Sequence, residues 1–241
     1  MYRSLDAALI VETICLLERR VAERFPGSGL SKVAAELKDV ALQAMKVTAE
    51  IDRPHLVLRT ICGVVIVVLA TAVTATMAEL RLAPGEWTWV AAIPVLESVI
   101  NELVLLGAGV FFLMTLEGRI KRGRALKAIH ELRSLAHIID MHQLTKDPHG
   151  LLEGGPTTPN SPARKLSPYA LSRYLDYCTE MLSLIGKLAA LYVQRFDDPV
   201  ALAAVDGMED LTTGLSRKIW QKIAMIEAAA RTERLMTRPP E

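Results

Sequence analysis

The sequence predicts an all-α protein in which a two-helix transmembrane hairpin carries amphipathic cytoplasmic helices that form a bundle or coiled coil. Between Arg59 and Glu79 no residue is charged, and this gap approaches the ~20 residues that an α-helix needs to cross a bilayer. A second apolar stretch follows at about 88–116. Elsewhere, apolar residues recur three or four positions apart, which is the period of an amphipathic helix.

The composition of the 241 residues supports this separation of apolar and polar segments. Hydrophobic residues make up 51% of the chain and the mean hydropathy is +0.27, yet 23% of residues are charged. The net charge of +1 and the aromatic content of 5% offer no basic, base-stacking surface, so nucleic acid is not an expected partner. Cys15, Cys62 and Cys178 are far apart, and we expect buried thiols in a reducing compartment.

Residues 1–53 are predicted to form an N-terminal cytoplasmic helical hairpin. The spacing predicts one helix from Leu5 to about Phe25, ended by Pro26-Gly27. The second helix is expected to begin at Ser28 or Ser31, because serine is a favoured N-cap. The two apolar stripes are Ile10, Ile14, Leu17, Val21 and Phe25, and then Leu30, Val33, Leu37, Val40, Ala44, Val47 and Ile51.

Residues 54–118 are predicted to form the transmembrane hairpin, with helices at about 56–80 and 88–116. The first helix ends in small residues spaced four apart, such as Thr71 with Ala75 and Thr74 with Ala78. Such pairs let a second helix approach closely, and threonine hydroxyls can form hydrogen bonds across the interface. We therefore expect these positions to pack the two membrane helices against each other.

Charge on either side of the hairpin predicts its orientation. Five basic residues follow the second membrane helix, whereas the loop at 81–87 holds only Arg81. The positive-inside rule therefore predicts that both termini are cytoplasmic and that the loop lies outside, with Trp87 and Trp89 as interfacial anchors. The five basic residues are expected to contact anionic lipid headgroups. They are Arg119, Lys121, Arg122, Arg124 and Lys127.

Glu102 is the most informative polar residue within the apolar segments. If the second helix leaves the membrane near Glu117, Glu102 lies roughly 22 Å up a core about 30 Å thick. An ionised carboxylate there is costly, so we expect it to be protonated, bonded to Thr71 or Thr74, or facing a hydrated pore with Asn101 and Glu97. Alternatively, the helix lies further outward, with both carboxylates at the headgroups. Glu97 and Glu102 lie about 140° apart around the helix, which disfavours one pore face.

Residues 119–144 are predicted to form a juxtamembrane cytoplasmic helix, and the Pro- and Gly-rich residues 145–167 a flexible linker. Glycines at the start of this helix, Gly118 and Gly123, could let it bend. The helix carries three histidines, but only His137 and Asp140 have the spacing of a metal-ligand pair. We expect solvated or capping roles for these residues and no metal site.

Residues 168–241 are predicted to form a C-terminal helical hairpin. Ser167-Pro168 and Asp198-Pro199 each combine an N-cap with a first-turn proline. Gly207 and Gly214 lie two turns apart, which predicts a closely packed neighbouring helix. The two apolar stripes are Leu171, Tyr174, Cys178, Met181, Ile185, Leu188 and Tyr192, and then Val205, Met208, Thr212, Leu215, Ile219 and Ile226.

Polar residues beside these two stripes either bind a partner or ligand or form a solvated helix face. They are Arg173, Asp176 and Glu180, and the run from Thr212 to Lys218. The sequence contains no nucleophile elbow, phosphate-binding loop, dinucleotide fingerprint or zinc-protease motif. We therefore expect neither an enzyme nor a cofactor.

The function expected from the sequence is that of an integral membrane scaffold or sensor. Its cytoplasmic helical bundle would mediate self-association or recruit a cytoplasmic protein partner. The alternative is a small oligomeric ion channel with Glu102 lining the pore and gating by the cytoplasmic bundle. The expected partners are the lipid bilayer and further copies of the chain in a homo-oligomer.

Overall fold

The structure, a computed structural model, describes residues 4–52, 56–82, 89–146, 148, 159 and 166–236. Its regular elements are six α-helices, and no strand occurs among the described residues. The all-α prediction is therefore confirmed. The helices are α1 (Ala7–Arg24), α2 (Gly29–Asp52), α3 (Leu56–Leu82), α4 (Trp89–Leu144), α5 (Pro168–Leu191) and α6 (Pro199–Met236).

The connection between α1 and α2 follows the turn signals in the sequence. Gly27 has φ +67°, a left-handed conformation that glycine adopts without the steric cost of a Cβ. Ser28 Oγ then accepts a hydrogen bond from the backbone N–H of Ser31 at 3.1 Å. Of the two predicted N-caps, Ser28 is thus the residue that caps α2.

The predicted starts of α5 and α6 are also confirmed. Ser167 Oγ accepts a hydrogen bond from the N–H of Ala170 at 3.2 Å, and Pro168 is the first residue of α5. Asp198 Oδ1 accepts hydrogen bonds from two backbone N–H groups in the first turn of α6, which Pro199 opens. In both helices the cap satisfies donors that would otherwise lack an intrahelical partner.

The chain forms two compact units, the first of which contains Met1–Asp52 and Arg124–Glu241. Its core joins the apolar stripes of α1, α2, the C-terminal part of α4, α5 and α6. The central helix is α5, which contacts α1, α2 and α6. The separate amphipathic segments of the sequence therefore bury their stripes against one another within a single chain.

The burial of α5 is broader than a two-stranded coiled coil would need. Tyr174, Leu175, Tyr177 and Cys178 are all buried, and at 100° per residue their directions span about 160° around the helix. A two-stranded coiled coil buries chiefly one narrow seam. The first unit is a helical bundle, and the coiled-coil interpretation is not confirmed.

The expected close approach at two glycines of α6 is wrong for Gly214, where an added Cβ would meet no atom within 4 Å. At Gly207 an added Cβ would lie 3.3 Å from the Arg133 guanidinium of α4, so a neighbouring side chain does approach this glycine. A further close contact lies at the buried Gly186 of α5, where a Cβ would lie 3.4 Å from Thr212 Oγ1. Gly214 is exposed, off the buried stripe of α6.

The second unit is Arg53–Gly123 and contains α3 and the first part of α4. One described helical stretch, Val99–Leu144, is long and apolar enough to cross a membrane by length and composition, and none of its most apolar window is buried. A shorter apolar stretch, Arg59–Ala72, lies in α3. Large apolar side chains on both helices are exposed.

The predicted second membrane helix and juxtamembrane helix are one continuous element. Helix α4 has 56 residues, which corresponds to about 84 Å at 1.5 Å per residue. It continues through Gly118 and Gly123 without a break in its helical assignment. Helix α4 thus contributes residues to both units.

Two predicted loops fall largely outside the described residues. Helix α3 extends to Leu82, so Arg81 is helical and not part of the loop predicted at 81–87. Residues 83–88, which include Trp87, lie outside the described residues, as does most of the predicted linker at 145–167.

Core packing of α5 gives a direct stability prediction. The Ile185 side chain is 0% exposed, so Ile185→Ala should lower the free energy of unfolding by about 2–5 kcal/mol through lost burial and a residual cavity. Leu16, on α1, is 48% exposed, and Leu16→Ala should change it by less than about 0.5 kcal/mol. Denaturant unfolding of both variants, monitored by the circular dichroism of the tyrosine side chains, measures the two free energies of unfolding. Equal losses would contradict the described core.

Candidate functional site

A groove of about 810 Å³ lies among α1, α5 and α6 and is called the α5 groove below. Its volume falls within the range of small-molecule binding sites. The lining residues are Thr13 of α1, then Thr179, Glu180, Ser183, Leu184 and Lys187 of α5, and then Thr212, Thr213, Ser216, Arg217 and Trp220 of α6.

Helical spacing explains why α6 contributes these side chains together. Three of these residues lie three, four and seven positions after Thr213, so all four share one face of the helix. They are Ser216, Arg217 and Trp220. The buried Thr212 lies beside this face and contacts α5 near Gly186. Several polar residues singled out in the sequence are therefore brought to one groove.

Three threonine hydroxyls in the groove are already bound to the backbone. Thr13 Oγ1 donates to Leu9 O, and Thr179 Oγ1 donates to Asp176 O, each at 2.7 Å. Thr212 Oγ1 lies 3.1 Å from a backbone carbonyl of the preceding turn, to which it donates. With their protons directed to the backbone, these hydroxyls can offer only acceptor lone pairs to the groove.

Other donors in the groove remain available. Thr213, Ser216, Arg217 and the Trp220 indole N–H form no side-chain hydrogen bond or ion pair with the residues that the structure describes. The Lys187 ammonium donates to Ser183 Oγ at 2.7 Å, but it has no carboxylate partner in the described chain. The donors therefore face solvent at the groove.

The one carboxylate of the groove is neutralised from α1. Arg20 Nη1 and Nη2 donate to the two oxygens of Glu180 at 3.0 and 3.2 Å, which is the bidentate geometry that fixes a carboxylate in place. The Arg20 guanidinium also lies over the Tyr177 ring, 5.3 Å from its centroid. Glu180 is thus paired with an arginine that also packs on the ring of Tyr177, a buried residue of the bundle core.

Tyr177 lies at the centre of an arginine cluster behind the groove. Phe25 meets its ring edge to face at 6.2 Å, and the Arg173 guanidinium lies 5.0 Å from the ring centroid. Burial alone would raise the pKa of the Tyr177 phenol, but hydrogen bonds from Arg173 and Arg24 and their charges outweigh it and lower the pKa. The cluster joins the end of α1 to the start of α5.

Arg173 and Asp176, two of the polar residues noted in the sequence, form a local ion pair at 2.8 Å on α5. They support this arginine cluster and do not line the α5 groove. The polar residues noted in the sequence thus fall into two groups. Arg173 and Asp176 do not line the groove, whereas the lining includes Glu180, Thr212, Thr213, Ser216 and Arg217.

Cys178 is a core residue of α5. Burial raises the pKa of its thiol to about 12, so the folded chain keeps this proton at pH values where an unfolded cysteine has lost it. The thiol therefore favours folding less as the pH rises from about 9 toward 12. The prediction of a buried thiol is confirmed for Cys178, whereas Cys15 and Cys62 are half-buried.

The polar residues predicted within the apolar segments remain on the helix surface where they are described. Glu97 and Asn101 on α4 are exposed. On α3, the exposed Thr71 and Thr74 donate to carbonyls of their own helix, Val68 O at 2.8 Å and Thr71 O at 2.9 Å. Glu102 is helical, and its side chain, like that of Trp89, lies outside what the structure describes.

The basic cluster after the predicted span is partly paired. Lys121 Nζ lies 3.1 Å from Glu117 Oε1, and Arg124 Nη1 lies 3.3 Å from Glu50 Oε2. The Arg119 guanidinium lies 5.9 Å from the Phe112 ring centroid. Lys127 is exposed and Arg122 is half-buried.

An ion pair between α3 and α4 was not predicted. Arg59 Nε of α3 donates to Glu117 Oε2 of α4 at 2.9 Å, and Glu117 also holds Lys121. Glu117 is therefore shared between a basic residue of each helix. The sequence contains both residues at the ends of the apolar stretches, but nothing in it specifies that they meet.

The histidines of α4 do not form a metal cluster in the described chain. Asp140 Oδ1 accepts a hydrogen bond from Gln143 Nε2 at 2.6 Å, and His137 is exposed. His142 packs its imidazole directly against Gly29 at the start of α2. Among the described residues, no group of three histidine, cysteine or acidic side chains could hold a metal ion.

Sequence reasoning missed six groove residues, namely Thr13, Thr179, Ser183, Leu184, Lys187 and Trp220. The available signal was Trp220, a large aromatic residue next to the polar run at 212–218 and one position beyond the apolar stripe. The contributions of α1 and α5 depend on how the helices meet, which no local pattern encodes.

Comparison with known proteins gives no family: no protein-family model, curated protein or solved structure matches the chain with significant similarity.

Proposed function

We propose that this chain is an integral membrane scaffold or sensor whose helical bundle mediates self-association or recruits a partner. The observation that carries this proposal is the exposure of apolar side chains on most sides of α4. Leu103, Val104 and Leu105 follow one another at about 100° steps around the helix, and each is more than half exposed. A single docking partner covers one face of a helix, whereas lipid covers all of them.

Helix α3 supports a second crossing of the bilayer. It has 27 residues, and its uncharged part, residues 60–78, corresponds to about 28 Å of helix, close to the ~30 Å hydrocarbon core. Its consecutive Val67 and Val68 are also more than half exposed. The core helix of a water-soluble protein would bury such residues.

The Arg59–Glu117 ion pair supports the arrangement of α3 and α4 as a hairpin. Ile66 lies seven residues after Arg59 and Val110 lies seven residues before Glu117, so antiparallel helices place them at the same level. Both are half-buried, as residues along a helix–helix seam would be. By the same register, Thr74 and Glu102 share a level fifteen residues from the ion pair.

Basic residues at one end of this hairpin support the predicted orientation. Basic residues lie near the two points where the chain passes from one unit to the other. They are Arg59, at the start of the first apolar stretch, and Arg119, Lys121, Arg122, Arg124 and Lys127, after the end of the second. The positive-inside rule then assigns both termini to the cytoplasm. The bundle, with its α5 groove, becomes the part that meets soluble molecules, in a non-catalytic role.

A second function, an oligomeric channel, is favoured by one observation. Glu97 and Asn101 are exposed in the single chain, although both lie within an apolar segment. In a bilayer, exposed polar side chains of this kind face other subunits or water rather than lipid. A homo-oligomer would shield Glu97 and Asn101 between its subunits and leave Glu102, about 140° from Glu97 around the helix, to line the pore. The channel hypothesis depends on that assembly.

Membrane insertion is tested by adding charge to both proposed spans. Val67→Lys and Val68→Lys on α3, combined with Val104→Lys and Leu105→Lys on α4, should release the chain from the membrane pellet after carbonate extraction, because each lysine costs about 2.5–3.5 kcal/mol at the centre of a span. Leu144→Lys, at another exposed apolar position of α4, should leave the chain in the pellet. A wild-type chain that stays soluble without detergent would contradict the proposal, as would a reporter at either terminus that appears outside the cell.

Ion flux separates the scaffold from the channel. Purified protein in liposomes should pass no cations if it is a scaffold or sensor, and Glu102→Gln should then have no effect. A cation flux in the wild type that Glu102→Gln abolishes would favour the channel and contradict the scaffold or sensor hypothesis. Glu50→Gln, outside the predicted spans, is the control and should leave such a flux unchanged.

A further inference from the structure

The geometry points to the α5 groove as the binding site of a soluble amphiphilic organic anion, with a flat apolar body and one carboxylate or sulfonate group. This inference rests on the proposed sensor function and deepens it, because it names the class of molecule that the bundle would detect. Nothing in the sequence analysis assigned a ligand class to these residues.

The apolar body has two large side chains to contact. Trp220 is 57% exposed at the groove, and an indole ring of this kind offers a flat face for stacking. Leu184 of α5 is buried at the groove wall. These are the only large apolar side chains among the lining residues, so the surface suits one ring system.

The anionic group is matched by an excess of positive charge. Glu180 is neutralised by the bidentate contact with Arg20, whereas Lys187 and Arg217 have no carboxylate partner among the described residues. Arg217 lies three residues before Trp220, on the same face of α6. An arginine beside an exposed ring provides the two contacts that an aromatic carboxylate or sulfonate needs.

Uncharged donors next to Arg217 complete the site. The hydroxyls of Thr213 and Ser216 and the Trp220 indole N–H form no hydrogen bond within the described chain, so they can donate to the ligand without losing a protein partner. The anion would thus receive donors from one face of α6. Lys187 adds positive potential from α5.

A peptide helix fits the same groove less well. Helix-in-groove recognition uses a row of apolar pockets for anchors at three- and four-residue spacing, and Leu184 and Trp220 alone cannot supply that row. The volume of about 810 Å³ is that of a drug-sized ligand site. A small molecule is therefore the occupant that the geometry favours.

The test uses the full-length protein in phosphatidylcholine nanodiscs and the fluorescent probe anilinonaphthalene sulfonate, with empty nanodiscs as the baseline. We expect one saturable site per chain. Arg217→Gln should weaken binding about tenfold, because it removes a hydrogen-bonding cation from the anion. Lys218→Gln, which removes an equal charge next to Arg217 but outside the groove lining, should leave the affinity unchanged.

A second probe separates the anion contact from the ring contact. Phenylnaphthylamine has the same rings without the sulfonate, so Arg217→Gln should not alter its binding. Trp220→Ala should weaken both probes, while helical circular dichroism stays unchanged.

Three results would overturn the inference: equal affinity of Arg217→Gln and Lys218→Gln for the sulfonate probe, no saturable binding above empty nanodiscs, or displacement of the probe by phosphatidylglycerol in the disc. The last result would assign the groove to a lipid headgroup. Any of these results would leave the proposal of membrane insertion standing, because carbonate extraction tests that proposal separately. Conversely, a chain that proves soluble could still bind the probe in the α5 groove.

Discussion

The apolar side chains that α3 and α4 leave uncovered constrain this structure more than any other feature. Burying a valine or leucine side chain stabilises by about 1.5–3 kcal/mol relative to leaving it in water, and these helices expose such residues over many turns. Their backbones satisfy their own hydrogen bonds, as a segment in lipid requires. The environment that we propose for them is a bilayer, which meets both conditions, and the basic residues and the proposed hairpin are consistent with it.

The sequence predicted the core of the first unit well because each amphipathic helix carries its own periodic signal. Ile14, Leu37 and Met181 were on predicted stripes and are buried, and the caps Ser167 and Asp198 follow from local chemistry. The central role of α5 was not predictable in the same way. Its additional burial depends on how many helices surround it, which is a property of the assembled bundle.

The α5 groove shows the same limit at the level of a site. Glu180 and Thr212 were noted as polar residues beside apolar stripes, but their meeting with Lys187 and Trp220 depends on the relative register of α5 and α6. The prediction for Gly214 failed for the same reason, since Gly214 lies off the contact face of α6, whereas Gly186 of α5 lies on a contact face. Helical period gives the face of each helix, whereas the pairing of faces comes from tertiary packing.

The most direct measurement of the central claim is the collision rate of a nitroxide label with oxygen and with a water-soluble nickel complex in liposomes. The label would replace Leu105 or, for comparison, Leu144, both exposed on α4, after removal of the native cysteines. We expect oxygen to dominate at Leu105 and the nickel complex at Leu144, because oxygen concentrates in hydrocarbon. Greater access of the nickel complex at Leu105 would contradict a membrane-spanning α4.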